Sequence, residues 1–379
     1  MCQTHVSCLS GVRERLSAGS SAPTFEGAMR HTQRAWAFDA ERGLRLEEVP
    51  LPPLQAGWAR CQVTRVQPSI FEALTLTGRA PAQARGSFSY GHEFAARIVT
   101  LAPPASADLV GARVVCPPAV PCGICRECLE GHPARCLSRF RLGKDTAGAF
   151  GEFVDLPAAY LLVLSDRVSD LAACCAQPAA SAVANLVHGQ IPTGARVLIL
   201  GQGVMGLLSL QAAAAQGAAA VLTTARRPSV RALSQSLGAE VSLDPDDPTT
   251  LTQIGQFRPD FVIDAAGGPR SAGLAGNSLL EVALDVVMPY GTVLELSDLS
   301  EPLCLSPRIR EKSLRLVFGQ WSYYYGVYPY TLAMLGDGRI KCGPLVTHEV
   351  RGLENLPEVL EIKVDRVSSG AIQVQLVLD

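Results

Sequence analysis

The chain has 379 residues, 48% of them hydrophobic, which at ~150 residues per domain predicts two or three globular domains with a substantial core. Its 33 basic and 35 acidic residues leave a net charge of −2, so there is no electrostatic footprint for nucleic acid or an anionic membrane, and a small molecule is the expected partner. Twelve cysteines, four of them clustered between 122 and 136, do not make a secreted disulfide framework and point to a reducing, cytoplasmic compartment.

Residues 1–28 contain no apolar h-region, and we expect a disordered tail or a misassigned start, with Met29 opening the first domain. Their Ser and Arg content would also suit a transit segment, against which Glu14 and Glu26 weigh. From 35 to 115, short β-type runs such as "ARCQVTRV" and "FAARIVTL", broken by Pro and Gly, predict an all-β module. The next stretch, "CGICRECLEGHPARC", spaces Cys122, Cys125, Cys128 and Cys136 as C-x2-C-x2-C-x7-C. Four thiolates can enclose one tetrahedral Zn²⁺ at ~2.3 Å each and leave no open position, so the expected ion is structural; free or disulfide-bonded cysteines are the alternative. Cys116 lies outside that spacing and is expected in a strand.

From 195 the pattern alternates: strand "ARVLILG", helix "VMGLLSLQAAAAQ", strand "AAVLTTA", helix "PSVRALSQSLG", strand "DFVIDAAG" and later "GTVLEL". That alternation predicts an α/β fold with a parallel sheet and crossover helices. Val197 to Ala225 carries no charge, but its glycines and glutamines argue for a buried strand, turn and helix rather than a membrane span. Within it Gly201, Gly203 and Gly206, with Val204 and Met205 between them, form G-x-G-x-x-G directly after a strand and at the start of a helix, as a dinucleotide site requires. At the end of the next strand, where an acid would bind a ribose 2′-OH, stands Ala225, followed by Arg226 and Arg227. Two guanidiniums and no carboxylate favour NADP(H) over NAD(H); a solvated helix start is the other account of the arginines.

These motifs, with "LRLEEVPLP", "GHEFAARIV" and "PLVTHEV", make the chain resemble the zinc-type alcohol dehydrogenases of the medium-chain dehydrogenase/reductase superfamily, in the sorbitol and threonine dehydrogenase branch. The resemblance runs from about Met29 to the C-terminus. It implies a GroES-like β-rich catalytic domain at 29–185, a Rossmann doubly wound parallel sheet at 186–319, a return to the catalytic domain at 320–379, and a homodimer or homotetramer. The active site would lie in the cleft between the domains.

The resemblance also implies a catalytic zinc on a Cys, a His and a Cys or Glu, and here the chain departs from the pattern. Ser69 stands at the first position, His92 is kept, and Gln177 replaces the Glu. Only one ligand of the usual type remains, so no catalytic zinc is expected unless Glu93, Cys174 or Cys175 substitutes. Phe71 occupies the place of the usual hydroxyl relay. The candidate proton donors are then His92 first and Ser69 second, with Glu72, Glu93 and Tyr90 nearby; Glu72 could equally be a surface helix residue and Tyr90 a core aromatic. The expected reaction moves hydride between nicotinamide and a carbonyl, imine or activated alkene. A zinc-dependent alcohol or polyol dehydrogenase and a non-catalytic nucleotide binder are the rivals. The aromatic run at 320–330 would suit a bulky substrate or, more commonly, a core.

Overall fold

The computed structural model describes residues 30–39, 41–80, 90–267, 278–297, 299, 307–319 and 326–378. The expected tail at 1–28 and residues 320–325 of the aromatic run lie outside them. The first part of the chain is β-rich: a hairpin of β1 (Thr32–Asp39) and β2 (Gly43–Pro50), then β3 (Trp58–Gln67), α1 (Ile70–Leu76), β4 (Glu93–Leu101) and β5 (Arg113–Val115). After these come β6 (Ala119–Val120), α2 (Arg126–Leu129), β7 (Phe140–Arg141), β8 (Phe153–Pro157), β9 (Leu162–Val163) and α3 (Asp170–Cys174). Cys116 sits one residue past β5 rather than in a strand, buried at the edge of the module's core.

α4 (Ala176–Gly189) crosses the 185/186 boundary expected from sequence and leads into the nucleotide-binding half. There β10 (Arg196–Leu200), α5 (Val204–Ala215), β11 (Ala220–Thr224), α6 (Pro228–Ser236), β12 (Val241–Leu243), α7 (Thr250–Phe257) and β13 (Phe261–Asp264) follow in order. They are succeeded by α8 (Ser278–Val286), β14 (Thr292–Glu295), α9 (Arg308–Glu311) and β15 (Arg315–Phe318). β12 and α7 were not legible in the sequence, because a three-residue strand and one short amphipathic helix carry little periodicity. The six strands are parallel in the order β12-β11-β10-β13-β14-β15. Val197 to Leu200 is buried throughout, as a strand covered by helices on both faces must be. The order reverses between β10 and β13, and a crevice opens beyond the carboxyl ends of the strands at such a reversal.

The chain then returns through α10 (Val327–Gly336), β16 (Val346–Arg351), α11 (Leu356–Val364) and β17 (Gln373–Val377). β17 pairs antiparallel with β3, so the last residues complete the sheet β16-β17-β3-β4-β5-β9, with β8 also on β3. Tyr328, from the aromatic run, is fully buried in α10, where it serves as core. Helices α4, α5 and α10 pack their apolar faces into one cluster that includes β10, β13 and residues 340–346 and ties the two halves together. The crevice and the catalytic sheet therefore meet along a packed seam rather than through a loose linker.

Candidate functional site

Three places carry chemistry. In the cysteine lobe, the Sγ atoms of Cys122, Cys125, Cys128 and Cys136 all lie within 4.8 Å of one another. Cys125 and Cys128 approach to 3.5 Å and Cys136 and Cys122 to 3.6 Å, close to the edge of a tetrahedron with ~2.3 Å metal–sulfur bonds. Backbone N–H groups of Ile124 and Cys125 point at the Cys122 sulfur and lower its pKa to about 7, so a thiolate is favoured before any cation arrives. This donor set fits one zinc with no position open for substrate.

At the crevice, each glycine of the G-x-G-x-x-G turn answers a different constraint. Gly201 has φ +86°, and a Cβ there would sit 2.3 Å from Ala266 Cβ on the loop after β13. At Gly206 a Cβ would fall 2.0 Å from the Gly201 carbonyl oxygen, so only glycine lets α5 pack this close to the strand end. Gly203 is the N-cap of α5 and faces open space, leaving its N–H and those of Val204 and Met205 accessible to an anion. The residues present fit a dinucleotide pyrophosphate. At the end of β11, Ala225 is buried and offers no acid. Arg226 is exposed, 3.5 Å from Asp246. Arg227 donates to the carbonyl oxygens of Arg366 (3.0 Å) and Ala371 (3.4 Å) across the seam. Arg231, missed in the sequence, holds this corner by donating to the carbonyls of Ala225 and Arg226 and pairing with Asp244.

The cleft is organised by a carboxylate that the sequence placed ambiguously. Glu72 is not a surface residue: it is 6% exposed and accepts from Ser69 N (2.9 Å), Ser69 Oγ (3.0 Å), Gly91 N (3.0 Å) and His92 Nδ1 (2.9 Å). Ser69 is the N-cap of α1, and its Oγ also accepts from Glu72 N, completing a capping box. Its hydroxyl is therefore engaged on both its donor and acceptor sides. Burial pushes the Glu72 carboxyl up, but the charge and hydrogen bond of His92, with the Ser69 and Gly91 N–H groups, bring it below the usual range. Burial would pull His92 down, yet the charge of Glu72 and the Nδ1 bond outweigh it and raise its pKa to about 9. An imidazolium results, with Nδ1 fixed on Glu72 and Nε2 3.9 Å from Glu93 Oε1.

Behind His92 lies a buried polar network. Glu93 accepts from Gln67 (2.6 Å) and Gln373 (3.3 Å), and Gln375 donates to Gln67 (2.9 Å). Lys363, equally buried, donates to the Ile372 carbonyl (3.1 Å) and the Gln373 side chain. Burial pushes Glu93 up, and burial pulls Lys363 down to about 8 against the opposing charge of Glu93. Cys174 and Cys175, considered as stand-in ligands, turn to the Glu93 carbonyl (3.5 Å) and to Gln67 Oε1 (3.4 Å). Tyr90 is a core aromatic, edge-on to Phe38 at 5.8 Å. Among the described residues, the four-cysteine lobe is the one group of three or more His, Cys, Asp or Glu close enough to share an ion. Gln67, Lys363, Gln373 and Gln375 escaped the sequence reading; the only signal was alternating glutamine in "QVQLV", an otherwise apolar strand buried along its length.

Comparison with known proteins agrees with this architecture. The alcohol dehydrogenase GroES-like domain model matches residues 60–166. The L-threonine 3-dehydrogenase of Pyrococcus horikoshii is 27% identical over 282 residues, 72% of this chain and 77% of that protein. Residues 60–166 therefore carry an alcohol dehydrogenase GroES-like domain, and the chain as a whole resembles the medium-chain dehydrogenases. An uncharacterized zinc-type alcohol dehydrogenase-like protein of Escherichia coli is likewise 27% identical, over 68% of this chain and 73% of that protein. In fold, the chain is similar to an Escherichia coli short chain alcohol dehydrogenase solved with NADH (TM-score 0.81, 22% identity, 92% of this chain and 100% of that one). It is equally similar to a putative zinc-binding dehydrogenase of Sinorhizobium meliloti bound to NADP (TM-score 0.80, 22% identity, again 92% and 100%). Among the described residues no helix is long and apolar enough to cross a membrane.

Proposed function

We propose that the protein is an NADP(H)-dependent reductase, or a dehydrogenase running in reverse, that acts on a carbonyl, imine or activated alkene without a catalytic zinc. Its named relatives are dehydrogenases, and it is an NAD(P)-dependent oxidoreductase of the alcohol dehydrogenase type. Bound at the glycine turn, the dinucleotide supplies hydride. The chain's own residues hold and deliver the proton.

The observation that carries the reading is the Ser69–Glu72–His92 arrangement. Where a zinc-binding cysteine would stand, Ser69 is committed to a capping box, and the Gln177 that takes the place of the usual Glu is a neutral amide. What remains is an imidazolium oriented by a buried carboxylate, with a pKa of about 9. Such a group is charged at neutral pH and can donate from Nε2 to the oxygen, nitrogen or α-carbon that takes up the electron pair when hydride adds to the carbon bonded to it. The side chain is about one-fifth exposed, so the proton can be replaced from solvent between turnovers. A small-molecule substrate, a cytoplasmic setting, one structural zinc in the cysteine lobe and a homodimer or homotetramer complete the reading. None of the nine described cysteines is paired, in keeping with a reducing compartment.

One observation favours a second reading. A histidine whose Nδ1 is held by a carboxylate is also how metal-binding imidazoles are oriented, so a zinc-dependent alcohol or polyol dehydrogenase would use the same pair. Metal analysis of freshly purified protein separates the two: the proposal expects about one zinc per chain, the rival about two. Alongside it, NADPH oxidation is followed with a panel of ketones, enals and imines. His92→Gln should lower kcat on the best substrate about 100-fold while the NADPH affinity holds. Two zincs per chain, or no turnover with any member of the panel, would sink the proposal.

A further inference from the structure

Arg366 lies in the loop between α11 and β17, on the catalytic side of the seam, yet its backbone carbonyl is gripped by Arg227 from the nucleotide-binding side. Its own guanidinium makes no hydrogen bond or ion pair with any described residue. The charge it feels is that of Arg227, which together with burial lowers its pKa; burial lowers that of Arg227 as well. Arg227 in turn bonds only carbonyl oxygens, and Ala225 beside it provides no acid. The Arg227 guanidinium thus rests on the backbone of Arg366 at a domain seam, both side chains are partly buried, and among the described residues no carboxylate pairs with either. Like charges in such a place raise the free energy of the empty protein, and an anion that sits between them removes the repulsion.

The strand order decides which anion. Arg227 opens the turn after β11, the neighbour of β10 on the side away from β13. The pyrophosphate belongs to the turn after β10, so the ribose next to it reaches the end of β11. We propose that Arg366 is a specificity-determining residue: with Arg227 it clamps the phosphomonoester on the adenosine ribose of NADP(H), and so recruits the catalytic domain to cofactor selection. A phosphomonoester dianion offers three acceptor oxygens, enough to engage both guanidiniums and the exposed Arg226. The same contact would draw the two sides of the seam together when NADP(H) binds, an effect NAD(H) could not produce.

This inference rests on the NADP(H) reading above, and the test separates their failures. Dissociation constants for NADPH and NADH are measured on the full chain by cofactor fluorescence, for the wild type, Arg366→Gln, Arg366→Lys and Arg227→Gln, with Tm recorded for each. Arg366→Gln should weaken NADPH about 10- to 100-fold and NADH less than about 2-fold, and Arg366→Lys should recover part of the loss. As a probe of the phosphate alone, adenosine 2′-monophosphate should compete with NADPH on the wild type far better than adenosine 5′-monophosphate, and lose that advantage in Arg366→Gln. A wild type that prefers NADH overturns both the cofactor reading and this inference. A wild type that prefers NADPH, with Arg366→Gln unchanged or equally weakened for both cofactors, overturns only the role of Arg366.

Discussion

The phosphate-binding edge and the cleft beside it are built by opposite routes. The edge comes from one contiguous strand, turn, helix and strand, and what it offers a ligand is backbone: the N–H groups at the start of α5 and the space above Gly203. The cleft is assembled from β3, α1, β4, α11 and β17, and what it offers is side chains, each held by another. A backbone site has no substitute for its glycines, because the constraint is steric. A side-chain site can change its members while its geometry survives, provided every buried polar group keeps a partner. Ser69 belongs to the second kind of site, and there the network around Glu72 and Glu93 closes without a metal ligand at that position.

The sharpest way to break this contrast is at the edge. Gly201→Ala must place a Cβ 2.3 Å from Ala266 Cβ at φ +86°, so it should destabilise the fold by about 3 kcal/mol and abolish detectable dinucleotide binding. Gly203→Ala meets nothing within 4 Å and should leave Tm unchanged while weakening the cofactor at least about 10-fold, since only the ligand approaches there. Thermal melts and cofactor titration of the two variants decide it. Equal loss of stability in both would mean that the turn is rigid for packing and not for the phosphate.

The cleft should respond through protonation instead of folding. Glu72→Gln keeps the size of the side chain but removes the charge that raises His92, so the His92 pKa should fall from about 9 toward its ordinary 6.5. A general acid is active while protonated, and the alkaline limb of the kcat profile should therefore move down by about two pH units. The stabilisation that His92 contributes is present in full below pH 6.5 and lost as pH rises through 9, so the variant should also lose the wild type's stability change across that window. A kcat profile that does not move would show that His92 is not the proton donor.

Much of the edge was legible and little of the cleft was, for a physical reason. Gly201, Gly203 and Gly206 declare themselves by spacing because one local conformation makes the site, and the cysteine lobe is local in the same way. Ser69, Glu72, His92 and Glu93 could be named as candidates, since they cluster in two short segments. Their wiring could not: whether Glu72 faces water or His92 depends on where α1 docks on the sheet. Lys363, Gln373 and Gln375 were invisible because β17 meets β3 only when the last residues return to the first domain. Arg366 lies 139 residues from the Arg227 that holds its carbonyl, and no periodicity links them.

The nucleotide-binding half holds one feature that obeys the cleft's logic, and it gives the smallest and most specific test. Asp264 and Glu295 end the adjacent parallel strands β13 and β14 in direct register and are 0% and 1% exposed. Asp264 Oδ1 accepts from the N–H groups of Ala266 and Gly267, the loop that packs on Gly201, and Glu295 Oε1 accepts from Ser297. The other oxygen of each, Asp264 Oδ2 and Glu295 Oε2, is shut off from water and meets no N–H or O–H donor among the described residues. A proton held between the two carboxyls satisfies both, and each side chain acts on the other as a hydrogen-bond partner. Burial, then the charge of Asp264, pushes Glu295 up to about 8. A carboxyl raised in this way binds more protons folded than unfolded, so stability falls as pH climbs from about 4.5 to 8 and levels off above that. Between pH 7 and 9 the loss should be on the order of 1 kcal/mol. Glu295→Gln supplies a permanent N–H donor to Asp264 and should erase that slope, leaving the variant no less stable than the wild type at pH 7 and more stable at pH 9. Denaturant melts of both proteins at the two pH values measure it. A slope that survives the substitution would mean that the shared proton is not there, and that the loop beside Gly201 is held by its backbone bonds alone.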